Sequence, residues 1–166
     1  MDAYGAAGIA LLSDGRVLFW PERTGEYDVH EWPASAFPAA VTHVATGIQT
    51  TNPHFCVSVA TDASSAHSPV HCWGFNNYGM LGDDTRVASI TATVNKVVAT
   101  VWPADSDAHT VTSLSCGQWA CCAVANKLAW CWGNPANGIL GNNVASGTFN
   151  KPTRVTLGGT AWTEEM

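Results

Sequence analysis

Cys72-Trp73-Gly74-Phe75-Asn76-Asn77-Tyr78-Gly79-Met80-Leu81-Gly82-Asp83 returns 59 residues later as Cys131-Trp132-Gly133-Asn134-Pro135-Ala136-Asn137-Gly138-Ile139-Leu140-Gly141-Asn142. Each copy carries an aromatic strand end into a turn dense in glycine and asparagine, anchored by an apolar pair, Met80-Leu81 or Ile139-Leu140. Such turns use residues that accept left-handed backbone at little cost. A third aromatic end, Phe19-Trp20, lies 53 residues before Trp73. Self-similarity at this period points to propeller blades or a solenoid, in which each unit buries its faces against its neighbours.

Ahead of each tryptophan the chain reads as apolar strand, polar turn, apolar strand. Gly5 to Leu12 and Arg16 to Trp20 flank Asp14-Gly15, a strong hairpin signal. Asn126-Lys127 is a weaker version, and the second repeat places its strands at Phe55 to Ala60 and Pro69 to Trp73, around a polar loop from Thr61 to Ser68. Ile90 to Val101 and Val111 to Leu114 are further β-prone stretches, and Pro38 to Val44 and Pro152 to Leu157 look like the corresponding strand of the flanking repeats. No stretch has helical periodicity with a cap at each end. The expectation is an all-β chain of about three repeats in one structural domain: a degenerate first repeat at 1–46, a second at 47–113, and a third at 114–166 that includes the start of a further blade.

The shared phrase resembles the RCC1-type repeat, the blade of propellers in the regulator of chromosome condensation, and is similar to propellers of the β-lactamase inhibitor protein II kind. The resemblance rests on Gly117 through Gly141, on His54 through Gly82, and more weakly on Gly5 through Trp20. It implies repeat-defining roles for Trp20, Trp73, Gly74, Gly79, Leu81, Gly82, Trp132, Gly133, Gly138, Leu140 and Gly141. The first repeat departs from the pattern: Pro21 stands where the glycine belongs and no Gly-x-Leu-Gly follows, so residues 21–36, with Tyr27, His30 and Trp32, fall outside it. A closed seven-bladed ring of such units needs on the order of 350–400 residues. The chain has 166, and the resemblance therefore implies an incomplete propeller segment. Open sheet edges and apolar blade faces are normally covered, so either a longer product or several copies complete one another.

The six cysteines follow the repeat. Cys56 and Cys72 align with Cys122 and Cys131, and the first repeat has Ala10 and Phe19 there, so the cysteines come or go as pairs. Cross-strand disulfides Cys56–Cys72 and Cys122–Cys131 explain that joint behaviour. Cys116 and Cys121 remain, either to pair with one another or to reach another copy. Paired cysteines belong to an oxidising compartment. With 12% charged residues, three lysines and net charge −6, the composition excludes a nucleic-acid or anionic-membrane surface, which needs clustered cations. There is no transmembrane span. No signal peptide is visible, so targeting to the exterior or cell surface would need a segment outside this sequence.

Neither His67, His71 and Cys72 with Cys56, nor the set Cys116, Cys121, Cys122 and Cys131, has the paired short spacings of zinc sites, and no metal is expected. Asp62, Asp83, Asp84, Asp105 and Asp107 sit in turn-like sequence, where carboxylates cap turns. Ser13-Asp14 and His109 form no recognisable triad, and Gly74 to Gly82 lacks the lysine and helix of a phosphate loop. The chain reads as a non-enzyme without cofactor. Trp20, Trp73 and Trp132 belong to the blade core, and Trp119 and Trp130 flank the same hairpin. Trp32, Trp102 and Trp162 lie beside Pro33, Pro103 and Glu164 and are the candidate partner contacts, for a protein or for stacking on sugar rings. The bland alternative tucks them against blade edges. The expected function is a secreted or cell-surface structural or protein-interaction module, self-assembling or completed by another chain. A carbohydrate-binding propeller is the alternative, and an intracellular guanine-nucleotide-exchange domain the less favoured one. Partners are then protein, chiefly further copies, or glycans, with no nucleic acid and no membrane insertion.

Overall fold

Alternating apolar residues and tight polar turns produce three antiparallel meanders in the computed structural model. It describes residues 1–166 apart from 5–6, 21–27, 50–51, 62–64, 66–67, 88–96, 105–109, 148, 158–159 and 162–166. Pro21, Tyr27, Asp62, His67, Asp105, Asp107, His109, Trp162 and Glu164 lie outside the described residues. The first sheet contains β1 (Asp2–Tyr4), β2 (Ala7–Leu11), β3 (Val17–Trp20) and β4 (His30–Trp32) in chain order. The second contains β5 (Val41–Gln49), β6 (Asn52–Val59), β7 (Val70–Gly74) and β8 (Val98–Ala99). The third contains β9 (Val111–Cys116), β10 (Ala120–Ala125), β11 (Leu128–Gly133) and β12 (Phe149–Arg154), and a short hairpin pairs β13 (Thr156–Leu157) with β14 (Thr160–Ala161).

The turns explain the register. Gly15 takes φ +86 between β2 and β3, while the Asp14 carboxylate accepts from the Arg16 amide at 3.2 Å and its guanidinium at 2.7 Å. Asn126 and Lys127, at φ +48 and +65, form the two-residue turn between β10 and β11; positive φ at both positions matches the twist of a hairpin.

Strand alternation then sorts side chains between sheets. Ile9, Val17 and Phe19 of the first sheet pack on Phe55, Val57, Val59 and Trp73 of the second. The opposite face of the second sheet presents Cys56, Val70 and Cys72 to Cys121, Ala123, Trp130 and Trp132 of the third. Every described residue of β7 is consequently buried, as expected for a strand covered on both faces. The first strands β1, β5 and β9 lie side by side, as inner strands of adjacent blades do.

Two sequence expectations shift. Strand β5 pairs with β6, and β9 with β10, so the second and third sheets begin by Val41 and Val111, upstream of the expected divisions at 47 and 114. Pro38–Val44 is therefore the counterpart of Val111–Leu114, not of Pro152–Leu157, most of whose strand closes the third sheet against β11. These strands are the first and last of a meander and carry no copy of the repeated phrase, so pattern alone gave them no position.

Candidate functional site

The repeated phrase is a connector between sheets. The Trp132 indole N–H donates to the Met80 carbonyl at 2.8 Å. Gly82, at φ +67, lies under that indole: a Cβ there would stand 3.0 Å from Trp132 Cδ1 and Nε1. Leu81 is fully buried, and its amide donates to Asn76 Oδ1 at 3.0 Å. Asn76, itself buried, donates in turn to Asp83 Oδ1 at 3.2 Å and to the Thr85 hydroxyl at 3.1 Å. Gly79 rests on Asn150 of the third sheet, where a Cβ would meet Asn150 Cα at 2.6 Å, and the Asp84 amide donates to the Asn150 carbonyl at 2.8 Å. Gly74 takes φ +102 and lets the Phe75 amide reach the Pro53 carbonyl at 2.9 Å; Gly133, at φ +114, does the same between Asn134 and Trp119.

The second copy of the phrase repeats this socket, with Val155 against Gly141 but no described residue in the place of Trp132. Leu140 is fully buried, and the Thr156 amide donates to Gly141 as Val101 does to Gly82, both at 2.8 Å. Ile139, however, is 50% exposed, and Gly138 has open space where Gly79 has Asn150. No tryptophan among the described residues occupies this socket as Trp132 occupies the one before it. The first sheet shows the complementary half. Gly8 pairs with Trp20, which lies half-buried over it on the face turned away from the second sheet. Trp73 has the corresponding position in the second sheet, but the first repeat has no Gly-x-Leu-Gly to receive its N–H. Its Nε1 accordingly has no partner among the described residues, and Phe19, Phe37, Phe55 and Trp32 surround the ring at centroid distances of 5.3–6.3 Å.

All six cysteines are bonded. Cys56–Cys72 and Cys122–Cys131 join residues directly opposite on paired strands, and Cys116–Cys121 joins β9 to β10, each with Cα atoms 4.1 Å apart. Disulfides of neighbouring sheets meet across the core, with Cys56 Sγ 3.7 Å from Cys121 Sγ. The four-cysteine set of the third repeat is not one centre, because Cys121 and Cys122 are successive residues of β10 and face opposite sides. His71 likewise turns away from Cys72, and its Nε2 stands 3.1 Å from the Ser68 carbonyl. The register also corrects the first repeat. Ile9 opposes Phe19 and Ala10 opposes Leu18, so the positions facing the second sheet are Ile9 and Phe19, a slip of one residue from the sequence alignment.

His54 is the polar residue that spacing did not reveal. Two residues from Cys56 on β6, it shares that cysteine's face and is fully buried, with no partner for Nδ1 or Nε2 among the described residues. Its ring edge abuts Gly47, where a Cβ would stand 2.6 Å from His54 Cε1 and would also overlap the Gly117 carbonyl oxygen. Burial pushes the imidazole pKa down from 6.5 to about 3, so the ring is neutral in the fold. Below pH 6.5 the unfolded chain takes a proton that the folded chain refuses until about pH 3, so this contribution is complete above 6.5 and is lost as pH falls. Between pH 7 and pH 4.5 wild type should lose roughly 2–3 kcal/mol more than His54→Leu. Urea titrations of both proteins at the two pH values check this, and equal losses would show that His54 does not carry the dependence.

No family model matches the chain, and no curated protein matches it by sequence. Solved structures do match. Human WBSCR16 is similar over 88% of this chain and 34% of its own, with TM-score 0.60 and 18% identity. Prp20p from Saccharomyces cerevisiae, described with its binding to Gsp1p and histones, is similar over 90% of this chain and 36% of its own, with TM-score 0.60 and 14% identity. Both are RCC1-family proteins. The fold is that of RCC1-like propeller blades. This chain spans about a third of the length of either structure.

Of the three candidate contact tryptophans, Trp162 lies outside the described residues, and Trp32 and Trp102 pack at the junctions between the RCC1-like blades. Trp32 belongs to β4, not to a loop; it stacks on Phe19 at 6.2 Å and meets Trp73 edge-on at 6.3 Å. Trp102 packs edge-on to Trp130 and Trp132 at 5.4 and 6.2 Å. Each indole Nε1 is buried without a partner among the described residues, so the polar end faces no solvent. Trp102 lies in irregular chain, as its neighbouring proline suggested, and the aromatic clusters at the blade junctions leave both rings half-buried. Trp119 stacks on Tyr78 at 6.1 Å, and Trp130 is buried beneath the Arg154 guanidinium at 5.0 Å. Asp83 caps its turn through the Thr85 amide and hydroxyl, and Asp84 lies 3.5 Å from the Lys151 ammonium. Among the described residues no helix is long and apolar enough to cross a membrane.

Proposed function

We propose that this chain is a non-catalytic, secreted or cell-surface protein-interaction module whose end sheets are completed by RCC1-like blades of another chain, chiefly further copies of itself. The observation that carries the proposal is the repetition of both halves of the Trp132–Met80 junction at the two ends: Trp20 over Gly8 on the first sheet, and Ile139–Gly141 on the third. Seating Trp20 of one copy in the Ile139–Gly141 socket of the next joins unlike surfaces. Such a heterologous contact gives a ring where the rotation closes and a filament where it does not.

The three disulfides support an oxidising location and weigh against an intracellular exchange factor; binding of the Gsp1p and histone kind is known here only of Prp20p. The carbohydrate reading has less support at Trp32 and Trp102, whose rings are half-buried against the aromatic clusters, and Trp162 lies outside the described residues. In sedimentation velocity over a concentration series, Trp20→Ala and Ile139→Glu should each weaken association at least tenfold while keeping the wild-type melting profile. Association unchanged in both variants would remove the junction model.

A further inference from the structure

Two disulfides and one orphaned imidazole share the space between the second and third sheets. A ring nitrogen of His54 and the sulfurs of Cys116 and Cys121 all lie within 4.8 Å of one another, and all three residues are buried. Cys56 Sγ extends the group, 3.7 Å from Cys121 Sγ. We propose that this cluster is a latent zinc site, closed while the disulfides stand and opened by reduction, with His54, Cys116 and Cys121 as ligands and Cys56 as the fourth.

Zinc held tetrahedrally by thiolate and imidazole places its donor atoms roughly 3.5–3.8 Å apart, as follows from its usual bond lengths. The Cys56–Cys121 sulfur pair already has that spacing. Reduction lets the bonded Cys116 and Cys121 sulfurs part to that spacing, and the His54 nitrogen, within 4.8 Å of both, closes on them by about 1 Å; Cys56 enters through its contact with Cys121. His54 answers a second requirement. Both ring nitrogens are buried without a hydrogen-bond partner among the described residues, an arrangement that costs free energy unless a ligand takes a lone pair. The ring is neutral, the form that binds a metal, because burial disfavours its proton. The donors come from β6 of one sheet and from β9 and β10 of the next, so a bound ion would staple two blades.

The chemistry balances with a thiol reductant. Each disulfide takes two electrons and two protons from a dithiol, which becomes a cyclic disulfide, and the S–S bond gives two thiols. Zinc then displaces protons from Cys56, Cys116 and Cys121, while Cys72 stays a thiol. The ion and the disulfides therefore compete for the same sulfurs, and the site is governed by redox poise.

The test reduces the full chain with a phosphine, removes metal, and titrates Zn2+ with Co2+ as the spectroscopic probe. One equivalent should bind, with thiolate-to-cobalt charge transfer and tetrahedral d–d bands, and should raise the melting temperature of the reduced chain. His54→Gln and Cys56→Ser should each weaken binding at least tenfold, and Cys122→Ser/Cys131→Ser should leave stoichiometry and spectrum unchanged. Binding indifferent to His54→Gln, or lost only in the Cys122→Ser/Cys131→Ser variant, would overturn the site, as would no binding at all. Should the reduced chain be unfolded without metal, restoration of near-ultraviolet dichroism by zinc in wild type, but not in His54→Gln, supports the site; its absence in both refutes it.

Discussion

Trp132→Ala is expected to lower stability by about 3–5 kcal/mol, the cost of emptying a large buried aromatic site. That is a large part of the roughly 5–15 kcal/mol that holds a typical domain together. Trp132 is fully buried between the second and third sheets, meets Trp102 at 6.2 Å, and donates to the Met80 carbonyl at 2.8 Å. A phenylalanine there keeps much of the packing but strands that carbonyl, adding about 1–3 kcal/mol to the loss of ring volume. Trp73 is the internal control. Its ring is equally buried but its Nε1 has no partner among the described residues, so Trp73→Phe loses volume and no hydrogen bond. Chemical unfolding of the two phenylalanine variants should rank Trp132→Phe as the more damaging. The reverse order would mean that the Gly-x-Leu-Gly socket contributes no specific interaction across the junction.

Reduction of all three disulfides in the presence of a chelator should remove stability of similar size to the whole. The bridges span 16, 5 and 9 residues. Closing loops of those lengths restricts the unfolded chain by about 3, 2 and 2.5 kcal/mol respectively, or about 8 in total. Thermal unfolding followed by near-ultraviolet dichroism should show a cooperative transition without reductant, and little or none at room temperature with it. A reduced, metal-free chain melting within a few degrees of the oxidised one would show that packing of the sheets alone suffices.

The sequence carried the blade architecture because the repeated phrase joins local turn chemistry to a tryptophan, buried at Trp73 and Trp132 and half-buried at the corresponding Trp20, and both are short-range signals. Trp73 and Trp132, with Gly74, Gly82, Gly133 and Gly141, could be read from spacing before any contact was known. The first and last strands of each meander were not legible in this way. Val41–Gln49 and Phe149–Arg154 have no copy of the phrase, and only sheet pairing assigns them to a blade. Trp32 belongs to β4 although its neighbouring proline marked a loop, Trp102 does lie in irregular chain after β8, and the packing of both rings depends on aromatic partners that spacing does not reveal. His54 was hidden for the same reason. It stands 62 residues before Cys116, in a β-strand of alternating faces, and no motif spacing connects them.

The native mass of the disulfide-bonded chain, measured by light scattering on a size-exclusion column without reductant, tests the central reading most directly. The account predicts a discrete oligomer or an open-ended assembly, in which Trp20 of each copy seats on Ile139–Gly141 of the next. A stable, concentration-independent monomer of 17.5 kDa would contradict it.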